Sequence, residues 1–98
     1  MATYLMTFSY TQQGIQKIKE GPAVSNREEG HSIIGRRGHK AFYGILGAEY
    51  DTLFILEAPD AQAVGKMALA IGSQGNVHTS THRLFSDEEF KKIITGLP

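Results

Sequence analysis

The sequence contains four histidines, at positions 31, 39, 78 and 82. They are the first candidates for a functional site, because an imidazole can bind a metal ion or carry a proton near neutral pH. Two of them, His78 and His82, have the spacing that binds zinc when both lie on one face of a helix. The surrounding residues predict a strand instead, on which this spacing covers about 13 Å at roughly 3.3 Å per residue. Zn–N distances are only about 2.1 Å. We therefore expect that the two imidazoles share no ion and that the chain has no metal site.

Alternation along the same strand divides its residues between two sides. One side carries His78, Ser80 and His82, and the other carries Val77, Thr79, Thr81 and Arg83. If the first side meets a ligand, a neutral imidazole there can act as a base or as a hydrogen-bond donor. The alternative is a solvated polar edge strand, which the sequence favours because spacing ties no nucleophile or carboxylate to either histidine. No catalytic residue is assigned, and His82 is the one candidate.

Three further motifs admit a functional and a structural interpretation. A phenol and a carboxylate at Tyr50 and Asp51 can orient a ligand oxygen at a cavity mouth, but the favoured alternative is a turn in which Asp51 accepts from turn N–H groups. The glycine-containing segment Gly72–Asn76 follows a helix, so it offers carbonyls instead of the N–H groups of a phosphate site. The basic cluster Arg36–Lys40 is narrower than a nucleic-acid surface. These basic side chains are expected to cover the end of a helix and the start of the next strand. The alternative is that they bind an anionic group of a ligand.

Composition excludes several classes of function. Ten basic and ten acidic side chains cancel, so no overall field attracts nucleic acid or an anionic membrane. The absence of cysteine excludes disulfides, thiolate nucleophiles and cysteine-bound metal centres, and we expect no cofactor. The N-terminal residues lack the pattern of a signal peptide, and no apolar run reaches membrane-spanning length. Together these features predict a cytoplasmic location and no membrane partner.

Two strands joined by a turn must position most of the candidate residues, and both faces of these strands are apolar. The strand Tyr50–Ala58 carries Phe54 and Leu56 on one face, and Leu53 and Ile55 on the other. An antiparallel strand with one wet face alternates apolar and polar residues, so two apolar faces mean that both are covered. The helices of so short a chain cover one face. The second face therefore predicts a partner chain, in a homodimer or a higher multiple of dimers.

The remaining elements complete an α+β order in one domain, residues 1–98. We predict a strand at Thr3–Tyr10, a helix capped by Thr11, a helix or loop in Ala23–Gly38, strands at His39–Leu46 and Tyr50–Ala58, a helix from Asp60 to Gly72, a strand at Asn76–Phe85 and a helix from Asp87 to about Gly96. Before the last helix, Ser86 and Glu89 have the spacing of a capping box, and Phe85 and Phe90 that of a hydrophobic staple. The order β-α-β-β-α-β with a C-terminal helix is ferredoxin-like, with a four-stranded antiparallel sheet.

The segments TYLMTFSYTQQGIQKIKEGP, KAFYGILGAEYDTLFILEAPD and ALAIGSQGNVHTSTHRLFSDEEF resemble the GYD-domain family. The family takes its name from a Gly-Tyr-Asp turn, which corresponds here to Gly47, Tyr50 and Asp51. Ala48 and Glu49 make this turn one residue longer, and the segment SNREEGHSIIGRRG departs from the family pattern. The resemblance implies a dimeric α/β barrel, in which two such sheets pack face to face. It implies no assigned activity.

Two classes of function fit these observations. The first is binding of a small, partly apolar organic molecule inside the dimer barrel or between sheet and helices. The ligand-binding residues that we expect are Tyr4, Phe8, Phe42, Tyr43, Tyr50, Asp51, Phe54, His78 and His82. A cofactor-independent enzyme, similar to the small monooxygenases and isomerases of the barrel superfamily, is the catalytic form of this hypothesis. The second class is a non-catalytic assembly module.

Overall fold

A four-stranded antiparallel sheet is the central element of this chain, whose computed structural model describes residues 1–20, 30, 33–47 and 49–98. The elements are β1 (Ala2–Tyr10), α1 (Gln12–Gln16), β2 (His39–Gly44), β3 (Thr52–Ala58), α2 (Ala61–Gly72), β4 (Val77–Leu84) and α3 (Asp87–Thr95), with 3₁₀ turns at Ile18–Glu20 and Arg36–Gly38. The strand order is β2-β3-β1-β4, so β1 lies between β3 and β4. All three pairs of neighbouring strands in this sheet are antiparallel. The predicted α+β, ferredoxin-like fold is confirmed.

The hydrophobic core lies between one face of this sheet and α2. Alternation along β3 is strict, because every second residue from Thr52 to Ala58 is buried and those between are partly exposed. The α2 residues that reach the core, Val64, Met67 and Ile71, recur at helical spacing as predicted. The buried apolar residues among those described are Met6, Phe8, Phe54, Leu56, Ala58, Val64, Met67, Ile71 and Val77. They form one cluster on one side of the sheet.

Side-chain oxygens cap α1, α2 and α3 at their N-termini, where backbone N–H groups have no helical partner. Thr11 Oγ1 accepts from the N–H of Gly14 at 3.0 Å. Asp60 Oδ1 accepts from the N–H of Ala63 at 2.9 Å. Ser86 and Glu89 form the complete capping box, with distances of 3.1 and 3.0 Å. All three predicted caps are confirmed.

The first helix is shorter than the apolar pattern after Thr11 indicates. It ends at Gln16, and Ile15 and Ile18 are 51% and 42% exposed. Gly14 is its one buried residue, because this turn packs against the backbone of Asn76. Most of the predicted helix or loop at 23–38 lies outside the described residues.

The last helix, α3, has no buried residue. The two rings of the predicted staple, Phe85 and Phe90, are 50% and 52% exposed. Arg83 connects this helix to the sheet, since its Nη2 lies 3.0 Å from Glu89 Oε2. The Cζ of the same guanidinium lies 4.7 Å from the centre of the Phe85 ring. In the described part of the chain, no helix has the length and apolar character needed to cross a membrane.

Candidate functional site

The pairing of the strands sorts the side chains of the sheet onto two faces, because residues opposite each other in antiparallel strands share a face. Leu5 of β1 is opposite Ile55 of β3 and His82 of β4, and Ile55 is opposite Ala41 of β2. Met6, the next residue along β1, is fully buried in the core. Leu5 and its neighbours therefore lie on the other face, which we call the open face.

A polar row, which we call the β4 row, runs along the open face on the edge strand. It consists of His78, Ser80 and His82, as the alternation predicted, and these residues are opposite Ser9, Thr7 and Leu5 of β1. The hydroxyl oxygen of Ser80 lies 3.1 Å from Nε2 of His82, within hydrogen-bonding distance. The second ring nitrogen of His82, Nδ1, has no hydrogen-bond partner among the described residues.

An apolar region occupies the middle of the open face beside the β4 row. Leu5, Leu53 and Ile55 come from the two central strands and are partly exposed. Tyr43 of β2 is opposite Leu53 and is 60% exposed. A salt bridge of 3.1 Å between Lys40 Nζ and Glu57 Oε1 lies at one end. The open face thus presents apolar side chains bordered by hydrogen-bonding groups.

Four of the aromatic residues predicted to bind a ligand lie on the core side of the sheet instead. Phe8 and Phe54 are 1% and 0% exposed, and Tyr4 and Phe42 pack against the core. The ring centres of Phe8 and Phe42 are 6.4 Å apart, and those of Phe42 and Phe54 are 5.9 Å apart. These rings fill the space between sheet and helices. The structure therefore separates them from Tyr43, His78 and His82, with which they were grouped.

The remaining predicted pair, Tyr50 and Asp51, lies in the turn before β3. Asp51 Oδ2 accepts from the backbone N–H of Tyr10 at 2.8 Å, and the Asp51 N–H donates to the Phe8 carbonyl at the same distance. The carboxylate therefore binds the end of β1, a partner that the prediction of N–H donors within its own turn did not include. Burial, and next the charge of Asp51, raise the pKa of the Tyr10 phenol. Asp51 has a structural partner 41 residues away.

Metal binding requires several donors in one place. Among the described residues, no three His, Cys, Asp or Glu side chains form a group that could hold an ion. His78 and His82 both lie on a strand, as predicted. The ring of His39 packs 4.8 Å from the Phe54 ring, on the core side. His31 lies outside the described residues.

The segment Gly72–Asn76 binds the N-terminal end of α1. The carbonyl of Asn76 accepts from the Thr11 N–H at 3.0 Å, and the carbonyl of Gly75 accepts from the Thr11 hydroxyl at 2.7 Å. The side-chain amide of Gln13 donates to Asn76 Oδ1 at 3.1 Å. We call these four residues the clasp. Its carbonyls face N–H and O–H donors, in agreement with a segment that follows a helix.

A separate depression of about 260 Å³ lies beside α2, lined by Ile33, Asp60, Gln62, Ala63 and Lys66. None of the predicted ligand-binding residues lines it. The open face and this depression are therefore distinct surfaces, and of the two only the open face contains predicted ligand-binding residues.

The family described as GYD domain matches residues 4–94, which include the turn at Tyr50-Asp51 and all of β4. This chain belongs to the GYD-domain family. No match to it was found among curated proteins.

Three solved structures share the fold of this GYD domain. The crystal structure of MtbAldR has a TM-score of 0.66 at 14% identity over 88% of this chain, which spans 53% of that protein. The crystal structure of FFRP-DM1 has a TM-score of 0.55 at 16% identity over 87% of this chain and 100% of that one. At3g17210 from Arabidopsis thaliana has a TM-score of 0.52 at 14% identity over 88% and 95% of the two chains. At these identities the likeness shows the fold alone.

Sequence reasoning missed the side-chain contacts of two residues of this GYD domain. Ser80 was placed beside His82 by alternation, but its hydrogen bond to the imidazole follows only from the side-chain geometry. Arg83 was assigned to the opposite side of β4 with no role, and it connects β4 to α3 through Glu89. The acidic first turn of α3, close after the arginine near the end of β4, is the signal that could have indicated this ion pair.

Proposed function

We propose that this GYD domain forms a homodimer through the open face and binds a small, partly apolar organic molecule in the space between the two sheets. The observation that carries the proposal is the composition of that face. Leucine and isoleucine side chains occupy its centre, and the β4 row borders them with hydrogen-bonding groups. A cavity of this kind suits a ligand with an apolar body and one polar end.

The dimer part of the proposal rests on the exposed apolar area. Full burial of a Leu, Ile or Phe side chain contributes about 1.5–3 kcal/mol, and Leu5, Leu53 and Ile55 are only partly covered within one chain. Tyr43 adds a larger side chain that is mostly exposed. A second copy that presents the same face covers all of them in a symmetric contact.

The ligand part rests on the hydrogen-bonding capacity of the β4 row. Polar groups that lose water need partners, because an unmade hydrogen bond in an apolar space costs about 1–3 kcal/mol. Ser80 and His82 satisfy each other in part. Nδ1 of His82 still requires a partner, which a hydroxyl or carbonyl oxygen of a ligand can supply.

A matched pair of leucine substitutions tests the dimer. Leu53→Asp places a charge on the open face, whereas Leu69→Asp alters a leucine of α2 that is 77% exposed. We expect light scattering at micromolar concentration to give a dimer, or a multiple of it, for the native chain and Leu69→Asp, and a smaller species for Leu53→Asp. Circular dichroism checks that each chain is folded. A folded monomer of the native chain would contradict the proposal.

Native mass spectrometry of the purified chain tests the ligand. We expect an adduct on the dimer that His82→Ala weakens and Thr81→Ala does not, because Thr81 is the neighbouring residue on the other side of β4. Both variants should remain dimeric. A dimer that carries no adduct and binds no small molecule from a screening library would favour the assembly module instead.

One observation favours a cofactor-independent enzyme as the second candidate function. The hydrogen bond between Ser80 and His82 is the contact that joins a nucleophile to a general base. Within the described part of the chain, no third group orients the imidazole as such pairs require. Turnover of a bound molecule that Ser80→Ala abolishes without releasing the molecule would establish catalysis, and equal turnover by that variant would exclude this pair.

A further inference from the structure

The sheet ends in two edge strands, β2 and β4, and the two edges differ. An edge strand directs alternate backbone N–H and C=O groups away from its neighbour, where another extended strand can pair with them. β2 has 6 residues, carries Lys40, and shifts its register against β3 between His39 and Ala41. A short edge with a lysine and a bulge is a poor template for pairing.

The edge strand β4 lacks these protective features. It has 8 residues, Val77–Leu84, with neither lysine nor proline, and it pairs with β1 over this length without a shift in register. Its arginine, Arg83, lies near one end and pairs with Glu89. In the described part of the chain no strand pairs with the outer edge of β4, and Thr81 and His82 are exposed. We call this outer edge of Val77–Leu84 the β4 edge.

The side chains of β4 suit pairing with a second copy of the same strand. A two-fold axis at Ser80, perpendicular to the sheet, places an antiparallel copy beside β4 and keeps each face of the sheet continuous. The residues opposite each other are then Ser80 and Ser80, Thr79 and Thr81, His78 and His82, and Val77 and Arg83. Hydroxyl groups opposite each other stabilise strand pairs, and the two arginines lie at opposite ends of the contact.

The other edge of a second copy is a poorer partner for β4. β2 is shorter and bulged, so it can pair with fewer of the outward groups of β4. A contact between β4 and β2 is also heterologous and continues into rings or filaments, whereas a contact between two β4 strands closes after two chains.

We propose that the β4 edge is a self-association site, at which two chains pair their β4 strands antiparallel to form one continuous sheet of eight strands, four from each chain. This contact uses the backbone at the edge of the sheet and leaves the open face uncovered, so it does not depend on the proposed function. The opposing side chains are largely polar, so we expect weak association that requires submillimolar protein.

Backbone amide exchange measures this contact directly. In the single chain the outward N–H groups of β4 face water, and pairing protects them. As the concentration of the native chain rises from micromolar to submillimolar, we expect the exchange of alternate β4 amides to slow and that of β2 amides to stay constant. Sedimentation equilibrium should show the average mass rising toward twice its micromolar value.

Two double variants test the register of the pair. Thr79→Lys/Thr81→Lys places lysines opposite each other in the paired strands, and like charges directly opposite are destabilising. Thr79→Glu/Thr81→Lys places glutamate opposite lysine at both positions, so this matched control should pair at least as well as the native chain. Both positions lie on the side of β4 away from the open face. Circular dichroism checks that each variant is folded.

The outcomes separate this inference from the proposed function. Slower β4 exchange that the lysine pair abolishes and the glutamate–lysine pair keeps supports the β4 edge, and the same result in the Leu53→Asp chain shows that the open face is not involved. Native β4 exchange that does not change with concentration, or equal association of the two double variants, overturns the inference. Protection of β2 together with β4 also overturns it, in favour of a heterologous contact. If the double variants do not fold, exchange of the native chain decides.

A native chain whose mass at micromolar concentration equals that of Leu53→Asp contradicts only the open-face dimer.

Discussion

At the scale of single residues, Gly14 fixes the junction between β1 and α1. A Cβ atom at this position would lie 1.9 Å from the carbonyl oxygen of Asn76, far inside van der Waals contact. Gly14→Ala must therefore move α1 away from Asn76. We expect a loss of about 1–3 kcal/mol in the free energy of unfolding, typical of overpacking. Chemical denaturation measures it.

Gly65→Ala is the matched control for that substitution. Gly65 lies inside α2, and a Cβ there would meet nothing within 4 Å. Alanine has the higher helix propensity by up to about 1 kcal/mol, so this variant should be slightly more stable than the native chain. If Gly14→Ala were as stable as Gly65→Ala, the close packing of α1 on Asn76 would be refuted.

The residue roles that sequence analysis predicted correctly involve partners close by in the sequence. Asp60 and Ser86 cap their helices through N–H groups three residues away, and such caps can be recognised from spacing alone. Asp51 could be identified as a turn residue, but its acceptor role toward Tyr10 spans 41 residues. No local pattern specifies that partner, because the pairing of β1 with β3 brings the two residues together.

At the scale of elements, α3 is the one α-helix without a buried residue among those described. Ser86→Ala removes its cap and should cost about 0.5–2 kcal/mol. Because no residue of α3 is fully buried, the loss should be confined to this helix and leave the sheet unaffected. Amide hydrogen exchange measures both at once. Faster exchange throughout β1 in this variant would show that α3 supports the sheet more strongly than its exposure indicates.

The charge of Glu89 makes α3 sensitive to acid. The hydrogen bond from the Ser86 N–H, and next that from Arg83, lower the pKa of the Glu89 carboxyl. A carboxyl whose pKa is lower in the folded helix stabilises it above the pKa of the unfolded chain and loses that effect as pH falls. Helicity of α3 should thus be constant near neutral pH and decrease in acid. Glu89→Gln should flatten this decrease, as NMR shifts of α3 amides between pH 6 and 3 can measure.

At the scale of the whole molecule, the two apolar faces of the hairpin strands could be predicted from alternation, but the use of each face could not. Phe54 and Leu56 face the core and Leu53 and Ile55 face outward, as their spacing required. The pattern does not state which face the helices cover, because both are apolar. Grouping the aromatic rings with the histidines in one site therefore mixed the two faces of the sheet.

Dimer formation should also make thermal stability depend on concentration. If only the folded chains associate, mass action raises the Tm as the protein concentration increases. We expect this rise for the native chain at pH 8.0 and none for Leu53→Asp. Scanning calorimetry over a hundredfold range of concentration is the measurement, with Leu69→Asp as the control that should follow the native chain. A constant native Tm would argue against association through the open face.

The place of β1 between β3 and β4 determines how late in synthesis the sheet can form. β1 is synthesised first, yet its neighbours β3 and β4 both follow much later. The clasp likewise joins Thr11 to Gly75, 64 residues further on. Met6 and Phe8 therefore leave the ribosome long before the residues that bury them. Until β4 has been synthesised, the nascent chain presents this apolar strand to any chaperone that binds extended segments, and the sheet is complete only when β4 emerges.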